Sequence, residues 1–250
     1  MCGKNSLRRF YTVGKDYPAV RNIFFVTTPA TTDPATKQVS QQLVNKIQTV
    51  LPNAIIRIVE GNPGFGPLIN ETQRIVEGDG GLFCVMHDDV ALHPAALSQL
   101  VHELFVSNAA VVGPKLVEWE NAAILKSVGF GIDRCGEVDT FIEPNERDQE
   151  QHDSIKDVFY ISSACMLVRS DLFRELNGFC NEIPFFGEDL EFCWRAHLSG
   201  ARVIIVPAAV ARHREQFASR SPNIARNALT ARHRARTVAT LTWRFELLIA

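Results

Sequence analysis

An α/β fold built on a mostly parallel sheet is what this 250-residue chain predicts. Three observations lead there. Short apolar runs rich in β-branched and aromatic residues alternate with segments whose apolar residues recur at helical spacing. The run 81–86 (GLFCVM) holds no charged or hydrogen-bonding side chain of any strength, the mark of a buried strand. Hydrophobic residues make up 46% of the chain, enough at this length for one substantial core.

Residues 22–28 (NIFFVTT) read as the first strand, and a Thr/Pro-rich turn leads to a helix over 36–51 with Val39, Leu43, Val44, Ile47 and Val50 on one face. Residues 54–59 (AIIRIV) make a second strand, 67–77 a helix after a Gly-rich turn, and 81–86 the third strand. A helix over 94–106 has Pro94 in its first turn, where a missing N–H is harmless. A short strand over 109–112 ends at Gly113-Pro114. The polar stretch 118–157 has no strong pattern and reads as irregular strands and loops. A strand within 158–169, a helix capped by Ser170 and running to Leu176, a helix over 187–199 and a strand over 203–206 complete the series. Residues 1–215 form one domain in this reading, and 216–250 a basic, amphipathic helical tail.

The formal charge of −2 excludes a chain whose overall field attracts nucleic acid, but the sign is unevenly spread: from residue 201 onward there are nine Arg and two Glu. Within the tail, Arg226, Arg232, Arg234 and Arg236 combine with Leu229, Val238, Leu241 and Trp243 either as a helix for an anionic membrane surface or as a solvated basic helix. The six cysteines form no C-x-x-C pair, which points to a reduced, cytoplasmic setting. No segment reaches the roughly 18 apolar residues of a membrane span.

Chemistry concentrates in residues 185–195 (FFGEDLEFCWR), where Glu188, Asp189 and Glu191 lie inside an aromatic run. An unpaired buried carboxylate costs on the order of several kcal/mol, so this cluster needs a reason. A second acidic group, His87-Asp88-Asp89, directly follows the buried strand 81–86, at the sheet edge where open α/β folds bind ligands. By itself it fits either a turn with an aspartate pair or a site for a hard divalent cation and phosphate oxygens.

In order and spacing, HDDV, then ACMLVRSDLFRELNGF, then FFGEDLEFCWRAHLSGARVIIVPAAVARH resembles glycosyltransferase family 2 on the GT-A fold. The resemblance implies a three-layer α/β/α sandwich around a mostly parallel mixed sheet. It places Asp189 as the catalytic base, Asp89 as a ligand of the metal that bridges the donor's phosphates, and Asp88 beside it on the donor. His87 and His213 join the metal set by the same likeness, with Mg2+ or Mn2+ as the cofactor. The element Gly61-Asn62-Pro63-Gly64-Phe65-Gly66 with Asn70 resembles the family's Gly-rich stretch beside the nucleotide, which assigns Asn62, Gly64, Gly66 and Asn70 to donor binding; an ordinary strand-to-helix turn is the other reading. Ser163 and Ala164 match small residues lining the donor-sugar pocket, or serve packing. Glu188, Glu191 and Arg195 fall on the acceptor side, with an intrahelical salt bridge as the alternative for Arg195.

The beginning of the chain departs from the family pattern. Residues 25–33 (FVTTPATTD) align with the family's second strand and turn, so the family's first strand is expected to be missing, with Thr28 where a base-contacting Asp is expected and Asp33 keeping the final aspartate of the turn. The stretches 113–116, 128–134 and 148–153 resemble large actinobacterial-type cell-envelope enzymes. The expected function is therefore inverting transfer of a sugar from a nucleotide-diphosphate donor to a cell-envelope glycan or lipid-linked acceptor, at the cytoplasmic side of the plasma membrane. The alternative is a catalytically silent domain that binds a sugar nucleotide or glycan. A nucleotidyltransferase would carry a basic, Gly-rich phosphate loop near its start, and none is present.

Overall fold

The computed structural model describes residues 20–28, 34–76, 81–133, 136–215 and 223–249. Asp33 lies outside them, as do residues 216–222, and Thr28 is described in its backbone alone.

Strands β1 (Ile23–Thr28) and β2 (Ile55–Glu60) pair in parallel, Ile23 opposite Ile55 through Thr28 opposite Glu60. Helix α1 (Pro34–Val50) covers them, and the apolar stripe of its sequence explains how: Val44 and Ile47 meet Val26, with Leu43, Phe24 and Ile56 around them. The expected continuous helix after β2 is two short ones, α2 (Phe65–Asn70) and α3 (Thr72–Ile75).

The main sheet has the order β3 (Leu82–Met86), β10 (Cys165–Arg169), β5 (Val111–Glu118), β11 (Val203–His213) and β4 (Val90–Leu92). β5 and β11 run parallel, and β10 is antiparallel to both β3 and β5, so β3, β5 and β11 share one direction. Short strands β6 (Leu125–Ser127) and β9 (Lys156–Asp157) join the same sheet, and β7 (Gly131–Ile132) with β8 (Val138–Asp139) forms a separate ribbon. This is the irregular region expected for 118–157, tied down by Lys115, which is buried and reaches Asp148 at 2.8 Å and Asp153 at 2.5 Å. Helix α4 (Ala96–Val106) packs Leu97, Leu100 and Leu104 on one face of the sheet. Helices α5 (Ser170–Glu175) and α6 (Glu188–Leu198) cover the other with Phe173, Phe192 and Trp194.

Two strands are longer than their sequence suggests, both because of proline. Gly113-Pro114 does not end β5. Pro114 falls between the stretch paired with β10 at Val111 and Val112 and the stretch paired with β6 at Leu116 and Val117, where a missing N–H breaks no ladder bond to them. Gly113 is required there, since a Cβ would overlap the Ile161 side chain. Pro207 likewise does not end β11: the register against β5 shifts between Val206 and Val210, and the strand resumes to His213, which pairs with Val90. That bulge carries His213 to the sheet end where residues 87–89 turn.

Among the described residues no strand lies between β1 and β3. The β1–β2 pair is a sheet of its own, and a large cleft opens between β1 and β3.

The basic tail, expected as a helix at a membrane surface or in solvent, is helical and packs one face on the domain. Helix α7 (Asn223–Ile249) buries Leu241 and packs Val238 in the main core. Arg234 makes a two-pronged contact to Glu137 at 2.7 Å on each arm, and Arg236 pairs with Glu182. Arg234 and Arg236 thus find acidic partners on the domain. Among the described residues no helix is long and apolar enough to cross a membrane.

Candidate active site

The cleft, of about 1600 Å³, is bounded by the carboxyl end of β3, the start of β10, the amino end of α6 and the end of β11. The backbone brings these together. The N–H of His87 donates to the Ala164 carbonyl at 3.0 Å, so the 87–89 turn sits against the Ser162-Ser163-Ala164 stretch. The N–H of Arg214 donates to the Asp89 carbonyl at 3.1 Å, which fixes His213 beside the same turn.

His87, Asp89 and His213 form a convergent group whose ligand atoms all lie within 4.8 Å of one another. His213 Nε2 stands 3.3 Å from Asp89 Oδ1, and the His87 ring meets Phe65 edge-on at 4.5 Å between centroids. Burial, and then the nearby His213, push His87 down to about 4, so its imidazole is neutral near pH 7 and keeps a lone pair to offer. Two imidazoles and one carboxylate make a donor set suited to a divalent transition ion.

Ser163, 2% exposed, links this group to the acid pair. Its N–H donates to Asp189 Oδ2 at 3.2 Å, its hydroxyl donates to Glu188 Oε1 at 2.9 Å, and the same hydroxyl is 3.5 Å from His87 Nε2. Asp189 Oδ1 also accepts the Leu190 N–H at 2.8 Å. Burial raises Asp189 above the ordinary aspartate range, while these two N–H groups, that of Leu190 at a helix start, oppose the rise. Glu188 is pushed up to about 8, by burial first and then by the Asp189 charge, and its Oε2 has no hydrogen-bond partner. Near neutrality Glu188 is thus protonated beside an aspartate that accepts two backbone N–H groups.

These environments set a pH dependence of stability. Glu188 holds its proton to about pH 8 in the fold, against an ordinary value of 4.5, so across that interval the native state carries more protons and loses stability as pH rises. His87 acts oppositely: it titrates near 4 in the fold against 6.5 ordinarily, and stability grows as pH climbs between those values. Between pH 4.5 and 6.5 these two slopes oppose, and from 6.5 to 8 only that of Glu188 remains of the pair. Urea unfolding of the metal-free protein is expected to shift to lower denaturant from pH 6.5 to 8, and Glu188→Gln to flatten that decline. An unchanged decline in the variant would contradict the assignment.

Of the residues expected in the site, the structure gathers Asn62, His87, Asp88, Asp89, Ser163, Glu188, Asp189 and His213 around one cleft. Others it places elsewhere. Asn70, expected on the donor, clamps the backbone of Phe179, its Nδ2 donating to the carbonyl and its Oδ1 accepting the N–H, both at 2.8 Å. Gly64, at φ 113°, presses on Pro184, where a Cβ would overlap, and a Cβ on Gly66 would lie 3.0 Å from that of Phe179. These glycines serve close packing. Ala164 is fully buried in the sheet core. Glu191 and Arg195, expected on the acceptor side, form an ion pair at 2.6 Å beneath the site. The sequence reading missed Phe65, Arg226, Thr230 and His233. Arg226 and Thr230 line the cleft from α7, and only their spacing of four on a helix hinted at a shared face.

Residues 11–240 match the model of a family described as glycosyltransferase like family 2. A pre-mycofactocin glycosyltransferase of Mycobacterium tuberculosis is 29% identical over 132 residues, covering 51% of this chain and 26% of that protein; the chain spans about a quarter of the length of the curated relatives it matches. Among solved structures, GalNAc-T7 with UDP, GalNAc and Mn2+ superposes with a TM-score of 0.61 at 12% identity, over 90% of this chain and 42% of that one. Staphylococcus aureus TarS 1-349 in complex with UDP-GlcNAc gives 0.53 at 17% identity, over 95% and 62%. The fold is accordingly the GT-A fold, and the chain belongs to glycosyltransferase family 2.

Proposed function

We propose that this chain is an inverting, metal-dependent transferase domain that moves a sugar from a nucleotide-diphosphate donor to the hydroxyl of a cell-envelope glycan or lipid-linked acceptor at the cytoplasmic face of the membrane. One observation carries the reading: Ser163 ties the Glu188–Asp189 pair to the His87, Asp89 and His213 group inside a single cleft. Asp189 takes the proton of the acceptor hydroxyl as its oxygen bonds to the anomeric carbon, while the bond from that carbon to the diphosphate oxygen breaks and its electrons leave with the nucleotide. One displacement inverts the centre. Ser163 and the Leu190 N–H hold the base, and protonated Glu188 places no second negative charge beside it. His87, Asp89 and His213 would hold the cation, Mn2+ fitting this donor set better than Mg2+, and bound there it supplies positive charge against the departing diphosphate.

UDP-sugars are the donors to try first, since GalNAc-T7 and TarS are solved with UDP and UDP-GlcNAc. Calorimetry with UDP-GlcNAc and UDP-GalNAc is expected to show binding with Mn2+ present. EDTA or Asp89→Ala should weaken it at least about tenfold, as loss of a metal contact does. Donor binding indifferent to both would remove the metal role.

A second reading is donor binding without turnover, since among the described residues no strand joins the β1–β2 pair to the main sheet. Release of UDP on adding acceptor separates the two.

A further inference from the structure

We infer that His233, on the C-terminal helix α7, is a positioning residue for the acid pair: its ring fixes the Phe185-Phe186-Gly187 turn and thereby aims Glu188 and Asp189 into the cleft. This rests on the transferase reading for its kinetic consequence, and on the geometry alone for its structural one.

His233 is 4% exposed, and its Nδ1 lies 2.9 Å from the Phe185 carbonyl oxygen and 3.0 Å from that of Phe186. Both partners only accept, so Nδ1 carries the proton and divides it between them. The turn it holds is unusual. Phe186 has φ 61°, a left-handed conformation that a bulky side chain adopts only when its surroundings impose it, and Gly187 follows at φ 117°. The next two residues are Glu188 and Asp189. A Cβ on Gly187 would come to 3.3 Å from that of His233, so helix and turn touch closely.

The contact is not isolated. Arg226, Thr230, His233, Thr237 and Leu241 are spaced as one helical face. Arg226 and Thr230 line the cleft, and Thr237 and Leu241 are buried. Arg234 to Glu137 and Arg236 to Glu182 pin the same turns of helix to the domain. α7 is thus a wall of the active site. Without the Nδ1 donor, two carbonyls lose this hydrogen bond and the strained turn relaxes, which moves Asp189 relative to the Ser163 N–H.

Three variants test this: His233→Leu, which fills the space without a donor; His233→Asn, whose Nδ2 reaches the place of Nδ1; and His233→Gln, whose donor lies farther out. Amide hydrogen exchange at residues 187–190 is expected to quicken at least tenfold in the Leu and Gln proteins and to stay near wild type in the Asn protein. With a UDP-sugar that the wild type turns over, kcat should fall at least tenfold in Leu and Gln at unchanged donor KM, and recover in Asn. In the wild type, nitrogen NMR of the ring should find the Nδ1–H tautomer. An Nε2–H tautomer, or equal exchange in the Asn and Gln proteins, overturns the inference, and both readings survive a Leu variant that fails to fold. Should the wild type turn over no sugar nucleotide, the transferase reading fails by itself while tautomer and exchange still decide the role of His233.

Discussion

Asp189→Asn is expected to lower sugar transfer by about 10²- to 10⁴-fold, the usual contribution of a general base, while leaving donor binding within a factor of about two. The substitution keeps the shape of the side chain and one oxygen for the Ser163 N–H, giving up only the contact with the adjacent Leu190 N–H. What disappears is the basic lone pair. Glu188 cannot take its place, because burial favours its protonated form and the hydrogen bond from Ser163 keeps it turned toward the serine. Glu188→Gln, which retains a neutral group there, should cost far less at pH 7 than Asp189→Asn. Steady-state transfer with saturating donor, set against calorimetric donor affinity, makes the comparison. Equal rates in the Asp189→Asn protein and the wild type would remove the base from this position.

The acid pair and the 87–89 turn were legible in the sequence because carboxylates in apolar runs need a purpose, and because a turn after a buried strand lies at a sheet edge. The places of the main strands along the chain were legible for a like reason: apolar runs such as 81–86 have nowhere else to go. Three kinds of feature were not. Gly113-Pro114 suggested a strand end, and the strand over 203–206 was read too short, yet a missing N–H is harmless where a ladder is already interrupted, and only the pairing reveals such places. The Gly-rich stretch with Asn70 suggested a nucleotide contact, but Asn70 faces Phe179, 109 residues away, which no local pattern encodes. The basic tail suggested a lipid surface, since Glu137 and Glu182, the groups that satisfy its arginines, lie far off in the chain. In each case the sequence displays a residue's chemistry and conceals its partner.

Arg195 shows what that difference means for an experiment. On the helix it could serve an acceptor or a neighbour. The fold commits it: its Nε and Nη2 donate to the two Glu191 oxygens at 2.6 and 2.7 Å, and its Nη1 and Nη2 donate to the carbonyls of Leu176 and Gly178 at 2.5 and 2.8 Å. Those carbonyls belong to the turn that ends α5, and Asn70 grips the next residue, Phe179, from the other side. Removing the guanidinium leaves Glu191, 7% exposed, as a buried charge without its counter-ion and strips two carbonyls of donors. Arg195→Ala is therefore expected to destabilise the domain by about 3–5 kcal/mol, read as a lower urea midpoint. Lysine brings one ammonium in place of a planar fork, so Arg195→Lys should fall between, with the folded fraction turning over sugar at nearly the wild-type rate. Methionine at 195 with leucine at 191 would recover part of the loss by removing the orphaned charge, though not the two carbonyl bonds. An acceptor role predicts the reverse pattern, an unchanged urea midpoint in Arg195→Ala with a raised acceptor KM. The two measurements together decide whether this cation serves the substrate or the turn beneath it.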